Sequence, residues 1–286
     1  MMRSFTTILC AIFSFAMLGA NAHGTERPGR VITVGAPATE IVFALGAGDS
    51  VIATDTTSTR PEVVEALPKV GYMRQLASEG IISLKPDLIV AVEKSGPENV
   101  LQELGDLGIP IVKLPSLDEM KNLPDAIAIA GAALGRVVEA QTLAQKIRAD
   151  IADLEAVAEP NRPSIIFLMA VGHGKPLSAG NHTTAAEIID LVGGRNPMAE
   201  FDGFKPVSAE VIAADQSDYV LLPQSTVDQY GGFEGLKTDP VLGLNKAVAN
   251  GRVLTVSSST ILGFGPESAS EIRDVAAFLH KQEQGR

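Results

Sequence analysis

The feature that most constrains this chain is a proline-free stretch of good helix formers, residues 125–158. It lies between two runs in which short β-branched segments alternate with helical patterns. Within it Leu143, Ile147, Ile151 and Leu154 recur at three- and four-residue spacing and make one apolar stripe. Pro160 and Pro163 end it, because proline cannot continue a helix. Its last uninterrupted part, residues 137–158, would run about 33 Å at 1.5 Å per residue, enough to cross from one lobe to another. An ordinary long surface helix within one domain has the same pattern.

The alternation on either side is the signature of βαβ units and mainly parallel sheets. Strands are predicted at 31–34, 51–54, 88–92 and 109–114, with helices at 39–45 and 61–66. The second half repeats the scheme, with strands at 164–169, 219–222 and 252–256 and a helix at 184–192. The expected fold is α/β: two Rossmann-like lobes joined by a single long helix, with a ligand cleft between them. The expected bounds are 23–134 for the N-terminal lobe, 135–159 for the connecting helix and 160–286 for the C-terminal lobe.

An internal repeat accords with two lobes of like construction. The segment EGIISLKPDLIV (79–90) can be laid on EVIAADQSDYVL (210–221). Each opens with a glutamate, Glu79 or Glu210, on a short apolar helix, places an aspartate eight residues later, and then enters a buried strand. Ser78 and Ser208 stand just upstream, suited to capping that helix. The order helix, turn, aspartate, strand also recurs by chance in α/β proteins.

The N-terminus reads as an export leader. Arg3 precedes an apolar run from Ile8 to Leu18, and Ala20-Asn21-Ala22 offers small residues for a signal peptidase. The run is short for a bilayer, which needs about 20 apolar residues. Residues 1–22 are therefore expected to be removed, and Cys10, the single cysteine, would leave with them. The mature chain would then hold no disulfide or thiolate metal site. Its localisation is expected to be the periplasm. Acidic residues number 34 against 23 lysines and arginines, a formal charge of −11. That balance lacks the clustered basic footprint of a nucleic-acid binder, and it suits solubility and docking onto a basic partner.

Four further segments, LGAGDSVIA (45–53), LPKVG (67–71), LKPDLIV (84–90) and NGRV (250–253), carry a family resemblance by their order and spacing. The chain resembles the substrate-binding proteins of iron-siderophore, cobalamin and haem ABC importers over nearly its whole mature length. The resemblance implies two lobes held by one rigid helix, a ligand between them, and no reaction. It also implies docking onto a permease dimer with its ATPase, where one glutamate per lobe, here Glu79 and Glu210, meets permease arginines. Glutamates in a first helical turn also favour the helix dipole without any partner. The carrier is expected to act as a monomer.

The segment VGYMRQLASEG (70–80) is similar to the haem-binding branch of that family, as are LSAGNHTTAA (177–186) and LGFGP (262–266). The resemblance implies that Tyr72 ligates the ferric iron of haem b, the transported ligand, and that Arg74 supports it. Chemically, a phenolate is a hard anionic ligand suited to Fe(III) and is a recognised haem axial ligand. A free phenol ionises near pH ~10, and an adjacent guanidinium favours the anion. In an extended segment Tyr72 and Arg74 would share one face, and Gly71 would let a flat macrocycle approach the backbone. From residue chemistry alone, a half-buried loop tyrosine with its hydroxyl bonded to a neighbour is the better reading, and it is the resemblance that turns the choice to an iron ligand.

Other residues are weaker candidates. The histidines are His23, His173, His182 and His280, and no His-x-x-x-His or Cys-x-x-Cys pair marks a zinc site. His173 and Met169 are placed to face the ligand from the second lobe, although a buried methionine is usually core. Phe264, with Phe204, Tyr230 and Phe233, lies in Gly-rich surroundings and is a candidate ring contact; such aromatics also serve as plain packing. Ser257, Ser258, Ser259 and Thr260 suit a helix cap or the cleft lining. No phosphate loop or nucleophile elbow is present, so no catalytic residue is assigned. The alternatives are the same fold carrying a ferric siderophore or a corrinoid, and, in a different class, a periplasmic enzyme or metal chaperone.

Overall fold

The computed structural model describes residues 27–155, 162–170 and 175–284. The leader therefore lies outside the described residues. The first half contains strands β1 (Val31–Val34), β2 (Val51–Thr54), β3 (Gly71–Tyr72), β4 (Gln75–Leu76), β5 (Leu88–Val92) and β6 (Ile111–Leu114). Its helices are α1 (Ala36–Ala44), α2 (Ser78–Ser83), α3 (Glu98–Asp106) and α4 (Leu123–Ala133). Every residue of β1 and β5 is buried, as expected of central strands covered on both faces. The main sheet runs β2-β1-β5-β6, all parallel.

Helix α5 (Val137–Glu155) follows, about 28 Å long at 1.5 Å per residue. Helix α4 stops just before it in a Schellman arrangement, Arg136 N–H to Gly131 C=O at 2.7 Å and Gly135 N–H to Ala132 C=O at 3.3 Å. The chain reverses there, and α5 packs back along α4. The predicted stripe faces inward: Ile147 and Leu154 are fully or nearly buried, and Leu143 and Ile151 pack partly buried against the same core. Helix α5 also touches the C-terminal helix of the second half. One surface of α5 thus serves both halves.

The second half comprises β7 (Ile165–Phe167), β8 (Leu177–Ala179), α6 (Thr184–Leu191), β9 (Phe204–Pro206), α7 (Ala209–Ala214) and β10 (Tyr219–Pro223). It continues with α8 (Gln224–Gln229), α9 (Phe233–Thr238), α10 (Lys246–Ala249), β11 (Val253–Val256), α11 (Ser258–Leu262) and α12 (Ser268–Gln284). Its sheet runs β11-β10-β7, again parallel. The order β7, β10, β11 repeats β1, β5, β6, and each central strand follows a short helix, α2 or α7. Beside β7, where β2 would sit, a single bridge remains: Arg195 N–H bonds Pro163 C=O at 2.8 Å and Ile165 N–H bonds Arg195 C=O at 2.9 Å.

Successive residues on β7 and β10 serve different layers, as the strand period of two requires. Ile165, Phe167, Tyr219 and Leu221 join a hydrophobic core that extends through the first half, while Ile166, Leu168, Val220 and Leu222 join a second core confined to the second half. The architecture is a two-lobed α/β fold whose larger core is continuous from one lobe into the near face of the other. Among the described residues no helix is long and apolar enough to cross a membrane.

Candidate ligand-binding site

In a parallel sheet, ligands gather beyond the carboxyl ends of the strands, where the chain leaves neighbouring strands in opposite directions. In the first lobe that point lies between β1, which leads to β2, and β5, which leads to β6. The segment holding Tyr72 is pinned there by backbone bonds to loops on both sides. Thr56 N–H, after β2, donates to Gly71 C=O at 2.9 Å. After β5, Gly96 N–H donates to Met73 C=O at 2.9 Å, and Leu76 N–H donates to Gly96 C=O at 3.0 Å.

The pinned segment is a hairpin, not the extended run expected from the sequence. Strands β3 and β4 pair antiparallel, Tyr72 lies opposite Gln75, and Met73 and Arg74 form the turn. Tyr72 and Arg74 therefore do not share one strand face. The physical reason is packing: Met73 and Leu76 are both buried, so the chain bends to put both into the core. Gly71 has φ +101°, a conformation that favours glycine, although a side chain there would meet only Gln75 C=O at ordinary contact distance. Tyr72 is left 39 % exposed on this anchored hairpin, and its hydroxyl has no hydrogen-bond partner among the described residues.

Arg74 lines a crevice of about 30 Å³ with Met73, Lys94, Asp118 and, from the second lobe, Leu262. Lys94 and Asp118 form an ion pair across its wall. Ser116 and Asp118 also border a cavity of about 640 Å³, which the second lobe completes with Asn181, His182, Thr183, Glu187 and Arg195. Glu187 accepts the Met120 N–H at 3.2 Å, and burial holds its carboxyl above the usual carboxylate range. His182 faces Asp202 at 2.8 Å. Of the residues around this cavity, Asn181, His182 and Thr183 fall in the 177–186 segment that carries the resemblance. Glu187 offered a signal, a carboxylate inside the apolar pattern of α6.

The remaining candidates divide. Met169 is half-buried against the larger core, and its N–H and C=O both bond Leu177 at 2.9 Å. His173 lies outside the described residues. Phe264, expected as a ring contact, is fully buried in the larger core, with its N–H bonded to Leu117 C=O at 2.8 Å. Phe204 stacks edge-on against Phe167 with centroids 5.7 Å apart. Tyr230 is half-buried, and burial raises its phenol above the usual range. Phe233 borders a separate groove with Phe278 on the second lobe alone. Ser257 caps α11, accepting Thr260 N–H at 3.2 Å. No group of three or more potential metal-ligating His, Cys, Asp or Glu residues occurs among the described residues.

Glu79 and Glu210 are both exposed and stand in the first turns of α2 and α7. Their caps differ by one position. Ser208 caps α7 by accepting Val211 N–H at 3.4 Å, whereas Ser78 is already inside α2 and the capping position is Ala77. The predicted serine cap thus holds in the second lobe only. The Ser208 hydroxyl holds the Glu210 carboxyl below the usual carboxylate range.

Comparison with known proteins gives a consistent picture. The family model described as "Periplasmic binding protein" matches residues 31–260. The periplasmic heme-binding protein RhuT from Roseiflexus sp. RS-1, solved in apo form, superposes with a TM-score of 0.79. It is 31 % identical, and the match covers 87 % of this chain and 96 % of RhuT. The ABC transporter substrate-binding lipoprotein YvrC of Bacillus subtilis is 25 % identical over 89 % of this chain and 81 % of its own length. The vitamin B12-binding protein of Yersinia pestis is 28 % identical over 78 % of this chain and 79 % of its own length.

Proposed function

Because this chain belongs to the periplasmic binding protein family, we propose that the ligand it delivers to its ABC importer is haem, held between the lobes with the Tyr72 phenolate on the ferric iron. The observation that carries this reading is the hairpin. Tyr72 is exposed, with Arg74 and Gln75, on a segment whose Met73 and Leu76 are locked in the core and whose backbone is fixed on both sides. An oxygen ligand so held loses little freedom on meeting a metal, and preorganisation of that kind favours affinity. The likeness to RhuT, named as heme-binding, supports the choice of ligand.

In this reading residues 1–22 are a cleaved leader, 23–134 and 160–286 are the two lobes, 135–159 is the connecting helix, and the protein works as a periplasmic monomer. Arg74 supplies positive charge beside the phenolate, and Gly71, Met169 and His173 are the remaining contacts. Glu79 and Glu210 are the points that dock on the permease dimer. One observation favours a second reading, a corrinoid: the likeness to the vitamin B12-binding protein.

A spectral titration separates the two. Hemin should give a ferric phenolate absorption band with the wild-type protein and none with Tyr72→Phe, and cobalamin should not compete. Cobalamin binding with no hemin band would establish the corrinoid reading.

A further inference from the structure

Behind the hairpin lies a buried polar cluster of Thr33, Thr39, Asp55 and Ser58. Asp55 follows β2 and is completely buried. Its Oδ1 accepts Gly35 N–H at 2.9 Å and the Ser58 hydroxyl at 2.7 Å. Its Oδ2 accepts Thr57 N–H at 3.0 Å and the Thr57 hydroxyl at 2.6 Å. The hydroxyls continue inward, Ser58 to Thr39 at 2.7 Å and Thr39 to Thr33 at 2.6 Å. Burying a carboxylate is costly unless its oxygens are saturated, and here four donors saturate them.

The result is a loop, residues 55–58, with little freedom. Its one outward-facing main-chain donor, Thr56 N–H, holds Gly71 C=O, the carbonyl directly before Tyr72. Lys69 fastens the same loop from the opposite side, its ammonium donating to Thr54 Oγ1, Ser58 C=O and Val64 C=O at 2.8, 2.9 and 3.1 Å. The two ends of the arrangement are thus a saturated buried carboxylate and an exposed phenol, linked through the Thr56 bond, while Thr54 beside it holds Pro68 C=O and Val70 N–H at 3.0 and 2.9 Å.

We propose that Asp55 is a positioning residue for Tyr72: by fixing loop 55–58 it sets the place and angle at which the phenol oxygen meets a ligand. This rests on the reading of Tyr72 as the iron ligand. Asp55 is completely buried, so it acts through the backbone it fixes, by way of Thr56 and Gly71. Asparagine at position 55 keeps the size and one acceptor oxygen, but sets an NH₂ against donors on either side, Gly35 and Ser58 or the Thr57 pair.

The test compares wild type, Asp55→Asn, the milder Thr57→Val and the remote control Asp218→Asn by two measurements. In ligand-free protein, amide exchange over residues 70–77, relative to the core strands, should accelerate about 10-fold in Asp55→Asn and less in Thr57→Val, and stay unchanged in the control. With hemin, the phenolate band of Asp55→Asn should shift or weaken and affinity should fall about 10-fold. The control should lower Tm and keep the band. A wild-type band and wild-type exchange in Asp55→Asn would overturn the positioning role, and so would faster exchange with an unaltered band. If Asp55→Asn does not fold, Thr57→Val carries the same two readings. Absence of any band in the wild-type protein would instead overturn the haem reading, and with it any role of Asp55 in iron ligation.

Discussion

Glu40 on α1 of the first lobe accepts a hydrogen bond from the Ser259 hydroxyl on α11 of the second. Gly265 lies against the same carboxylate: a Cβ there would stand 2.2 Å from Glu40 Oε2, so the side chain would have to move. Burial raises the Glu40 carboxyl above the usual carboxylate range, with the Ser259 bond and nearby Arg60 opposing and Glu271 and Glu267 reinforcing. Glu187, bonded to Met120 N–H across the same pair of lobes, is raised for the same first reason.

The pH consequence follows from linkage. A carboxyl with a raised folded-state pKa binds more protons folded than unfolded between its two pKa values, so stability falls as pH rises through that window. Below the unfolded value both states are protonated and the penalty is absent. Glu40→Gln keeps an acceptor for Ser259 without the charge. It should raise Tm at pH 7 by roughly 2–4 °C, about 1 kcal/mol for a chain of this size, and give no gain at pH 4. Calorimetric scans at both pH values check this; an equal gain at pH 4 would refute the titration argument.

Gly265→Ala should destabilise by about 1–3 kcal/mol, the usual range for overpacking, because the methyl group meets Glu40. The pair is directly coupled, so Glu40→Ala should recover most of that loss. A double-mutant cycle in urea measures it, and strict additivity would mean that the seam relaxes elsewhere.

Asp87 and Asp218 test the repeat. Asp87 Oδ2 accepts Gly29 N–H at 3.1 Å while its own N–H bonds Arg30 C=O at 2.8 Å. Asp218 Oδ2 accepts Ser164 N–H at 3.0 Å while its N–H bonds Ser164 C=O at 2.8 Å. Each fixes the start of the strand beside its own, β1 or β7. The first bond is exposed and the second part-buried, so stranding its donor is dearer. Asp218→Ala should lower stability by about 1–2 kcal/mol and Asp87→Ala by about 0.5 kcal/mol. Denaturant midpoints of equal loss would argue against that ranking.

These two aspartates also show why the fold was legible. Strands β1, β2 and β5 begin and end where their β-branched runs do, since a run buried on both faces leaves no polar position to blur it. The long helix starts at Val137, where the uninterrupted pattern starts. The site was less legible. The Met73-Arg74 turn lacks the Asn-Gly or Gly-x signature of a two-residue hairpin, and only the burial of Met73 and Leu76 bends the chain. Around the fully buried Phe264, Gly263 and Gly265 let the lobes approach closely, at Pro37 and Glu40, a fit that no local pattern announces. Asp118, Glu187 and Arg195 come together only through the lobe arrangement, which no local pattern encodes.

The last prediction concerns docking. Glu79 and Glu210 are exposed, so nothing within the fold depends strongly on their charge, and surface ion pairs contribute little to stability. Within the fold they serve the first turns of α2 and α7; the docking proposal gives them a further use in a partner. In proteoliposomes holding the importer, Glu79→Lys with Glu210→Lys should cut stimulation of the ATPase at least about 10-fold, since like charges replace pairs that steer encounter. Ligand affinity should stay within error, and stability should fall by no more than the loss at the two helix N-termini, about 0.3–1 kcal/mol each. The wild-type effect should weaken with added salt, as exposed charges are screened beyond about 8 Å at physiological ionic strength. Because the Ser208 hydroxyl holds the Glu210 carboxyl low, its contribution should persist into mildly acidic buffer. Unchanged stimulation by the doubly reversed protein would show that these glutamates serve the first turns of α2 and α7 alone.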